Sequence, residues 1–227
     1  MSTTSPTTIA DEVTAFVPGF SEAVGPKLSA VFDGEQRDLR EAGVPDGVVS
    51  VGDTLPAATV IDVRGEARDL ASLLGDRPAV LVFYRGAWCP FCNITLAHYQ
   101  RSLAPALDER GVALIAISPQ SPDGTAAAVE KGELGYTVVS DPGNALAHEL
   151  GIVTAPSAAA QEAHTELGFA VKDSNADDTP AIPFPSVIVL DPSRTVVFAD
   201  IQVDYTQRTE TSEILAALDA LDTVRVG

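Results

Sequence analysis

The sequence contains few cysteines, few basic residues and few aromatic residues for its length. Among 227 residues there are 2 cysteines, 14 basic side chains against 32 acidic ones, and 6% aromatic residues. Two cysteines are too few for the disulfide framework of a small secreted protein. The formal net charge of −18 argues against nucleic acid and anionic membranes as partners, because such a surface repels both.

The sequence shows no pattern typical of a membrane-spanning segment or of a secretory signal. No apolar run is long enough to span a bilayer. Residues 1–6 carry neither the basic region nor the apolar region of a secretory signal. The expectation is therefore a cytoplasmic protein, with no membrane contact.

What the chain does have is an apolar content of 45% and an alternation of strand and helix patterns. Residues 1–8 are rich in Ser and Thr and are expected to be disordered. Residues 9–42 predict two or three short helices, broken at Pro18-Gly19 and at Gly25-Pro26. We expect an N-terminal helical extension over residues 1–47 and the main domain over residues 48–227.

The main domain is expected to be an α/β domain of three layers. Strands are predicted at residues 58–63, 79–84, 112–118, 136–139, 186–190 and 195–201. Helices are predicted at residues 70–74, 91–110, 122–132, 144–150 and 210–221. The segment 154–180 gives no clear pattern, and either borders the functional site or is a loose insertion.

Both cysteines lie in one short motif directly after a predicted apolar strand. Cys89 and Cys92 are separated by Pro90 and Phe91, and a predicted helix follows. The N-terminus of a helix favours a thiolate over a thiol, and Pro90 suits the first turn because no hydrogen bond is lost there. A Cys-x-x-Cys between strand and helix is typical of thioredoxin-like redox sites.

Several segments together resemble a known family. The run at residues 82–92 resembles the peroxiredoxin-like branch of the alkyl hydroperoxide reductase/thiol-specific antioxidant (AhpC/TSA) family. Further similarity lies at residues 51–56, 117–120, 139–142 and 187–199. The resemblance implies a thioredoxin-like fold with a central mixed sheet and helices on both faces. It also implies a thiol-dependent enzyme that reduces hydroperoxides and is recycled by thioredoxin or another thiol donor.

The motif departs from the family pattern at the positions that matter for peroxide chemistry. Aligned on the peroxidatic Pro-x-x-x-Thr-x-x-Cys, the chain has Arg85 for Pro and Cys89 for Thr, and Cys92 takes the peroxidatic position. Where the family's distant Arg belongs, just before a late strand, the chain has Pro185. That residue resembles the cis-proline that faces the cysteines in thioredoxins, and the resemblance implies a cis bond at Phe184-Pro185. Arg85 either supplies the missing cation or is a surface residue paired with an acid.

Two mechanisms therefore stay open, and both end in a Cys89–Cys92 disulfide. In the peroxiredoxin interpretation Cys92 attacks the peroxide and Cys89 condenses with the resulting sulfenic acid. In the thioredoxin interpretation Cys89 attacks a disulfide, because it is expected to be the more exposed thiol, and Cys92 resolves the mixed disulfide. The second would give a thiol–disulfide oxidoreductase without useful peroxidase activity. A redox sensor is a third possibility.

Other assignments of the same residues are less specific. The cysteines could act as small buried hydrophobes, or bind zinc with two of His98, His148 and His164. His98 is expected to be an ordinary helix-surface residue. Trp88 either covers the thiolate, docks a partner, or simply packs at the edge of the sheet. The sequence shows no metal, nucleotide or haem motif, so no cofactor is expected, and the N-terminal helices pack on their own domain or on a second subunit of a homodimer.

Overall fold

The computed structural model describes the chain from residue 7 to residue 226, with side chains up to residue 223. The expected disorder of residues 1–8 therefore falls mostly outside the described residues. The helices are α1 Ile9–Val24, α2 Pro26–Ala42, α3 Leu70–Leu74, α4 Pro90–Ser102, α5 Ala104–Glu109, α6 Pro122–Gly132, α7 Ala145–Glu149, α8 Ala158–Glu166, α9 Val171–Ser174 and α10 Thr211–Val226. The strands are β1 Thr59–Asp62, β2 Ala67–Asp69, β3 Ala79–Phe83, β4 Ala113–Ser118, β5 Thr137–Ser140, β6 Val153–Thr154, β7 Ile182–Pro183, β8 Ser186–Leu190 and β9 Val196–Ile201.

Seven strands form one mixed sheet in the order β2-β1-β5-β4-β3-β8-β9. Strand β4 pairs in parallel with both β3 and β5, and the remaining pairs are antiparallel. The strands β6 and β7 form a separate antiparallel pair. Because β3 lies in the interior of the sheet and its residues are all buried, the motif that follows it starts from a rigid base.

The sheet is covered on both faces, which explains the continuous apolar runs of its central strands. Val80 and Val82 of β3 join a cluster with α1, α4 and α10, whereas Leu81 and Phe83 join a second cluster with α3 and α7. Alternate residues of one strand thus stabilise opposite faces. The predicted α/β architecture of three layers is confirmed.

The N-terminal segment forms two helices that are separated at Gly25, as predicted, but they are long, and the predicted break at Pro18-Gly19 is absent. Helix α1 runs through Pro18 and ends only at Gly25, whose φ is 81°. Thr8 and Asp11 form a capping box at its start, and Ile9 and Val13 are buried against α4 and α10. This cap and the burial outweigh the hydrogen bond that Pro18 cannot donate.

Two further boundaries differ for local reasons. The helix predicted over residues 91–110 is divided at Leu103 into α4 and α5, because Pro105 has no N–H to donate to the carbonyl of Arg101. The segment 154–180 contains α8 and α9, which the sequence did not reveal. Helix α8 is capped by Ser157, and its Ala160 and Ala163 pack against α2.

No helix within residues 7–226 is long and apolar enough to cross a membrane.

Candidate active site

The two cysteines occupy the start of α4, directly after the turn that follows β3. Cys89 is the N-cap residue of α4, Pro90 is its first residue, and Cys92 lies in its first turn. Both thiols are free, and each side chain is only 1% exposed. The expectation that Cys89 is the more exposed thiol is therefore wrong, because aromatic side chains cover it as fully as the sheet covers Cys92.

Cys92 has the environment of a stabilised thiolate. Nη2 of Arg208 lies 3.5 Å from Cys92 Sγ. Burial raises the pKa of Cys92, but the hydrogen bond from the Cys89 thiol and the charges of Arg208 and Arg85 outweigh it, so that the pKa lies well below its ordinary value. These contacts favour the thiolate form of Cys92 over its thiol form.

Cys89 has the opposite character. Burial raises its pKa, and its hydrogen bond to the Cys92 sulfur and the nearby negative charge on that sulfur raise it further. Nη1 of Arg85 lies 4.0 Å from Cys89 Sγ, which lowers the pKa less than these causes raise it. Cys89 therefore stays a protonated thiol and donates to its neighbour.

Arg85 is buried, with 5% of its surface exposed. Its guanidinium carbon lies 4.9 Å from the ring centroid of Trp88 and 4.1 Å from that of Tyr205. Within residues 7–226, no carboxylate oxygen lies within salt-bridge distance of it. The alternative of a surface arginine paired with an acid is wrong, because the two rings and the sulfur hold Arg85 inside the site.

The turn between β3 and α4 is fixed by backbone contacts. Cys89 donates its backbone N–H to the carbonyl of Gly86, and Ala87 donates to Oε1 of Gln120 at 2.7 Å. Gly86 has a φ of 148°, and a Cβ there would meet Trp88 Nε1 at 2.5 Å. Only glycine fits this position, since Trp88 folds back over the turn.

Pro185 lies beside Cys92, in a cavity that also includes Arg208. The expected cis bond at Phe184-Pro185 is wrong, because no described peptide bond is cis. The backbone is extended instead: Phe184 donates to the carbonyl of Ile152 at 2.8 Å, and the carbonyl of Pro185 accepts from Gln202 at 2.9 Å. These bonds continue directly into β8.

Trp88 and the histidines form no part of the Cys92 environment. Trp88 is half-buried and packs against His164 and Phe169, with ring centroids 5.5 Å and 5.6 Å apart. His98, expected on the surface, is buried with Nδ1 2.8 Å from Oε1 of Glu12 in α1. The described residues contain no group of three or more His, Cys, Asp or Glu side chains placed to hold a metal ion.

The cysteines face two different cavities. A cavity with an empty volume of about 290 Å³ is lined by Cys92, Arg208, Thr209 and Pro185 among others. A second, of about 380 Å³, is lined by Cys89 and by a set of mainly aromatic side chains. The two sulfurs of one motif are thus reached from different sides.

Sequence reasoning missed Arg208 and placed the distant cation at a position where the chain has Pro185. Arg208 lies between β9 and α10 and is held by hydrogen bonds from Nη1 to the carbonyls of Tyr205 and Gln207. One signal pointed to it: it is the sole basic residue between Arg194 and Arg225. His164 was also missed as a wall residue of the second cavity, because α8 was not predicted.

Part of the chain is similar in sequence to known proteins. A peroxiredoxin-type protein, bcp, of Haemophilus influenzae is 33% identical over 104 residues, which are 46% of this chain and 66% of that protein. The thioredoxin-like protein AAED1 of Arabidopsis thaliana is 33% identical over 116 residues, 51% of this chain and 45% of that protein. The matched segments thus cover less than two thirds of these relatives.

Solved structures show the same fold over most of the chain. The crystal structure of peroxidoxin BcpB from Mycobacterium tuberculosis has a TM-score of 0.57 at 24% identity and covers 76% of this chain and 97% of that one. Reduced Prx3 from Vibrio vulnificus, in complex with hydrogen peroxide, has a TM-score of 0.60 at 19% identity and covers 75% and 99%. Residues 51–199 match the AhpC/TSA family as a whole. The chain therefore belongs to the AhpC/TSA family.

Proposed function

We propose that the protein is a thiol peroxidase that reduces hydroperoxides through Cys92, with Cys89 as the resolving thiol. The observation that carries the proposal is the contact of Arg208 Nη2 with Cys92 Sγ at 3.5 Å, together with the lowered pKa of Cys92 and the raised pKa of Cys89. Only the thiolate is a nucleophile towards peroxide, so the pair has one attacker. Arg208 would take the role of the family's distant arginine from a different place in the chain.

The first step is attack by the Cys92 thiolate on one oxygen of the hydroperoxide. The O–O bond breaks, Cys92 becomes a sulfenic acid, and the other oxygen leaves as an alcohol, or as water, after taking up a proton. Negative charge develops on the departing oxygen. The N–H groups of Arg208 and Arg85 supply positive charge on either side of the sulfur pair.

The second step joins the two cysteines. The Cys89 sulfur attacks the sulfenic sulfur, water leaves, and a Cys89–Cys92 disulfide forms. Both residues lie in the first turn of α4, so the bond requires only local movement. Reduction by thioredoxin or a small thiol then returns both thiols.

The relatives support a peroxide substrate. The names of the Haemophilus influenzae and Mycobacterium tuberculosis proteins place them among peroxiredoxins. In the Vibrio vulnificus structure the bound ligand is hydrogen peroxide itself.

Thiol–disulfide exchange is the second candidate, and one observation favours it. Cys89 stands where the family has Thr, and its S–H is a weak donor for holding peroxide oxygens. In this function Cys89 attacks a disulfide substrate, and a Cys92→Ser variant accumulates mixed disulfides on Cys89. In the peroxidase the same variant is inert towards peroxide.

Stopped-flow fluorescence of the reduced protein mixed with hydrogen peroxide tests the proposal. Trp88 is the only tryptophan and adjoins Cys89, so it reports oxidation of the pair. We expect a rate that is linear in peroxide and well above that of a free thiol, lost in Cys92→Ser. Cys89→Ser should keep the fast phase and accumulate a sulfenic acid that dimedone traps. A wild-type rate no better than a free thiol would make disulfide exchange the working function.

We also propose that residues 1–47 are an extension appended to a main domain over residues 48–227. The family match begins at residue 51, and α1 and α2 pack on α4 and α8. We also propose that the protein is cytoplasmic and assembles as a homodimer.

A further inference from the structure

The cavity beside Cys89 has the walls of a binding site rather than of a packing defect. Its walls combine aromatic rings with a small number of polar groups, as the walls of small-molecule sites do. Trp88, Phe91, His164 and Phe169 line it, together with Arg85 and the sulfur-bearing Cys89. The ring contacts of Trp88, His164 and Phe169 at 4.9 to 5.6 Å hold one wall rigid.

Two polar side chains of this pocket, Arg85 and His164, have unused hydrogen-bonding capacity. Arg85 is 95% buried and has one acceptor in the described part of the chain, the Cys89 sulfur at 4.0 Å. The rings of Trp88 and Tyr205 lie against the faces of its guanidinium, which leaves N–H donors at its edge. His164 Nδ1 is buried without a hydrogen-bond partner. Buried groups of this kind are ordinarily satisfied, so their grouping in one pocket points to a ligand.

The charge of the ligand follows from Arg85. The chain carries 32 acidic side chains against 14 basic ones, and Arg40, Arg68, Arg101 and Arg110 all pair with acids. Arg85 is buried and has no such partner among residues 7–226. The Cys92 thiolate compensates the charge of Arg85 in part, but it leaves N–H donors of the guanidinium without an oxygen acceptor, and a planar carboxylate can accept from two of them at once.

The position of Cys89 in the pocket indicates what the ligand does. In the Cys89–Cys92 disulfide, attack by an incoming thiolate on Cys89 expels Cys92, the better leaving group because of its lowered pKa. Attack on Cys92 would expel Cys89, which is the worse leaving group because its pKa is raised. The sulfur that the reductant should attack is thus the one that lines this pocket, whereas peroxide must reach Cys92 from the other cavity.

We propose that this pocket binds the reductant, and that the reductant is a small thiol that carries a carboxylate and an apolar portion. The carboxylate pairs with Arg85, and the apolar portion packs between Trp88, His164 and Phe169. Both sulfurs are 1% exposed, which favours a small molecule over the surface of a folded dithiol protein. The inference rests on the proposed function, since it assigns the reducing half of that reaction.

The chemistry balances with two molecules of thiol. The first thiolate attacks Cys89 Sγ, the Cys89–Cys92 bond breaks, and Cys92 leaves as the thiolate that Arg208 stabilises. A second thiolate then attacks the ligand sulfur of the mixed disulfide, and Cys89 leaves and takes up a proton. The products are the reduced enzyme and the disulfide of the small thiol.

Reduction of the diamide-oxidised protein by two matched thiols tests the inference, with Trp88 fluorescence as the signal. The probes are 3-mercaptopropionate and 2-mercaptoethanol, and each rate is corrected for its thiolate fraction. The measured quantity is the rate with 3-mercaptopropionate divided by the rate with 2-mercaptoethanol. We expect this ratio to be about tenfold or more higher for the protein than for an exposed peptide disulfide, and tenfold corresponds to about 1.4 kcal/mol of pairing. The rate with 3-mercaptopropionate should saturate with concentration.

Arg85→Met should reduce this ratio to that of the peptide disulfide, because it keeps the length of the side chain but removes the charge. Arg64→Met is the matched control, since it removes one exposed positive charge outside the pocket and should keep the wild-type ratio. Both thiols expel Cys92, so any effect of Arg85 on Cys92 as a leaving group cancels in the ratio of the two rates. A wild-type ratio equal to that of the peptide, or a ratio unchanged in Arg85→Met, would overturn the inference.

Should Arg85→Met fail to fold, binding to the reduced wild-type protein gives an independent test. We expect 3-phenylpropionate to change Trp88 fluorescence with at least tenfold higher affinity than 3-phenylpropan-1-ol, and equal affinities would count against the site. Because the disulfide is made with diamide, neither measurement depends on peroxide. A slow reaction with peroxide would sink the proposed function and leave these results standing.

Discussion

The surroundings of Cys92 and Cys89 differ more than their positions do. Both residues lie in the first turn of α4 and both are 1% exposed, yet the pKa of Cys92 is lowered and that of Cys89 is raised. Cys89, at the N-cap, is the nearer of the two to the positive end of the helix dipole. The helix N-terminus therefore does not account for the difference in pKa between the two thiols; the direction of the thiol–thiol hydrogen bond and the charge of Arg208 do.

Removing Arg208 should weaken the stabilisation of the Cys92 thiolate. In a Cys89→Ser background, Arg208→Met takes away the cation 3.5 Å from Cys92 Sγ, so the pKa of Cys92 should rise by about 1 to 3. The rate of alkylation by iodoacetamide near pH 6 should fall at least about tenfold. Arg64→Met is the control, and a pH profile unchanged by Arg208→Met would show that the arginine is not what distinguishes the cysteines.

The Cys89 side contains a titrating group of its own, His164. Burial, and the charge of Arg85 after it, lower the pKa of His164 to about 4. The unfolded chain takes up this proton first, so stability is full above about pH 6.5 and falls as the pH drops towards 4. Between pH 7 and pH 4, the free energy of unfolding of His164→Phe should fall by roughly 2–3 kcal/mol less than that of the wild type, as measured by urea unfolding.

His148→Phe is the matched control for this titration, because His148 is exposed. Equal pH dependence of the free energy of unfolding in wild type and His164→Phe would mean that the aromatic pocket does not exclude the proton.

Tyr99 offers a way to disturb the Cys92 side without touching its charges. Its hydroxyl donates to the carbonyl of Thr209 at 2.6 Å, next to Arg208. Tyr99→Phe should cost about 1–2 kcal/mol of unfolding free energy. Because Arg208 is then less well placed, alkylation of Cys92 should slow a few-fold. Tyr136→Phe is the control, because it removes a similar hydrogen bond to the carbonyl of Leu96 and should lower stability without lowering the alkylation rate of Cys92. An equal fall of this rate in both variants would mean that it follows the loss of stability and not the position of Arg208.

The smallest effect is expected in the N-terminal extension. Glu12 of α1 pairs with His98 and Arg101 at 2.8 Å. Glu12→Gln should lower the free energy of unfolding by about 0.5–1 kcal/mol, since the pair is partly exposed. Neither cysteine should change its alkylation rate, and Glu22→Gln is the control for charge. A change in the reactivity of Cys89 would make α1 part of the site.

The parts of the fold that local sequence controls were predictable. The apolar run of β3, the glycine turn and Pro90 at the start of α4 each have a local cause, and the structure confirms this strand–turn–helix unit. Helix α6 and strand β8 have the predicted bounds. In contrast, continuation of α1 through Pro18 depends on packing against α4, which no local pattern reveals.

The sequence predicted the cysteines and the neighbours that share their turn, such as Arg85 and Trp88, but not Arg208. Arg208 is 116 residues away from Cys92 in sequence and belongs to a polar segment without periodicity, so its contact is a product of the tertiary fold. The burial of Cys89 likewise depends on α8 and Tyr205, which come from distant segments. The cis bond expected at Phe184-Pro185 rested on resemblance alone, and no described peptide bond is cis.

The central claim is that Cys92 is the thiolate of the pair at neutral pH. Its most direct test is the thiolate absorbance near 240 nm as a function of pH, in Cys89→Ser and in Cys92→Ser. We predict that Cys89→Ser titrates well below the ordinary range of cysteine, and that Cys92→Ser gives no thiolate until the pH is at or above that range. A low titration in Cys92→Ser, with an ordinary one in Cys89→Ser, would contradict the claim and make Cys89 the nucleophile.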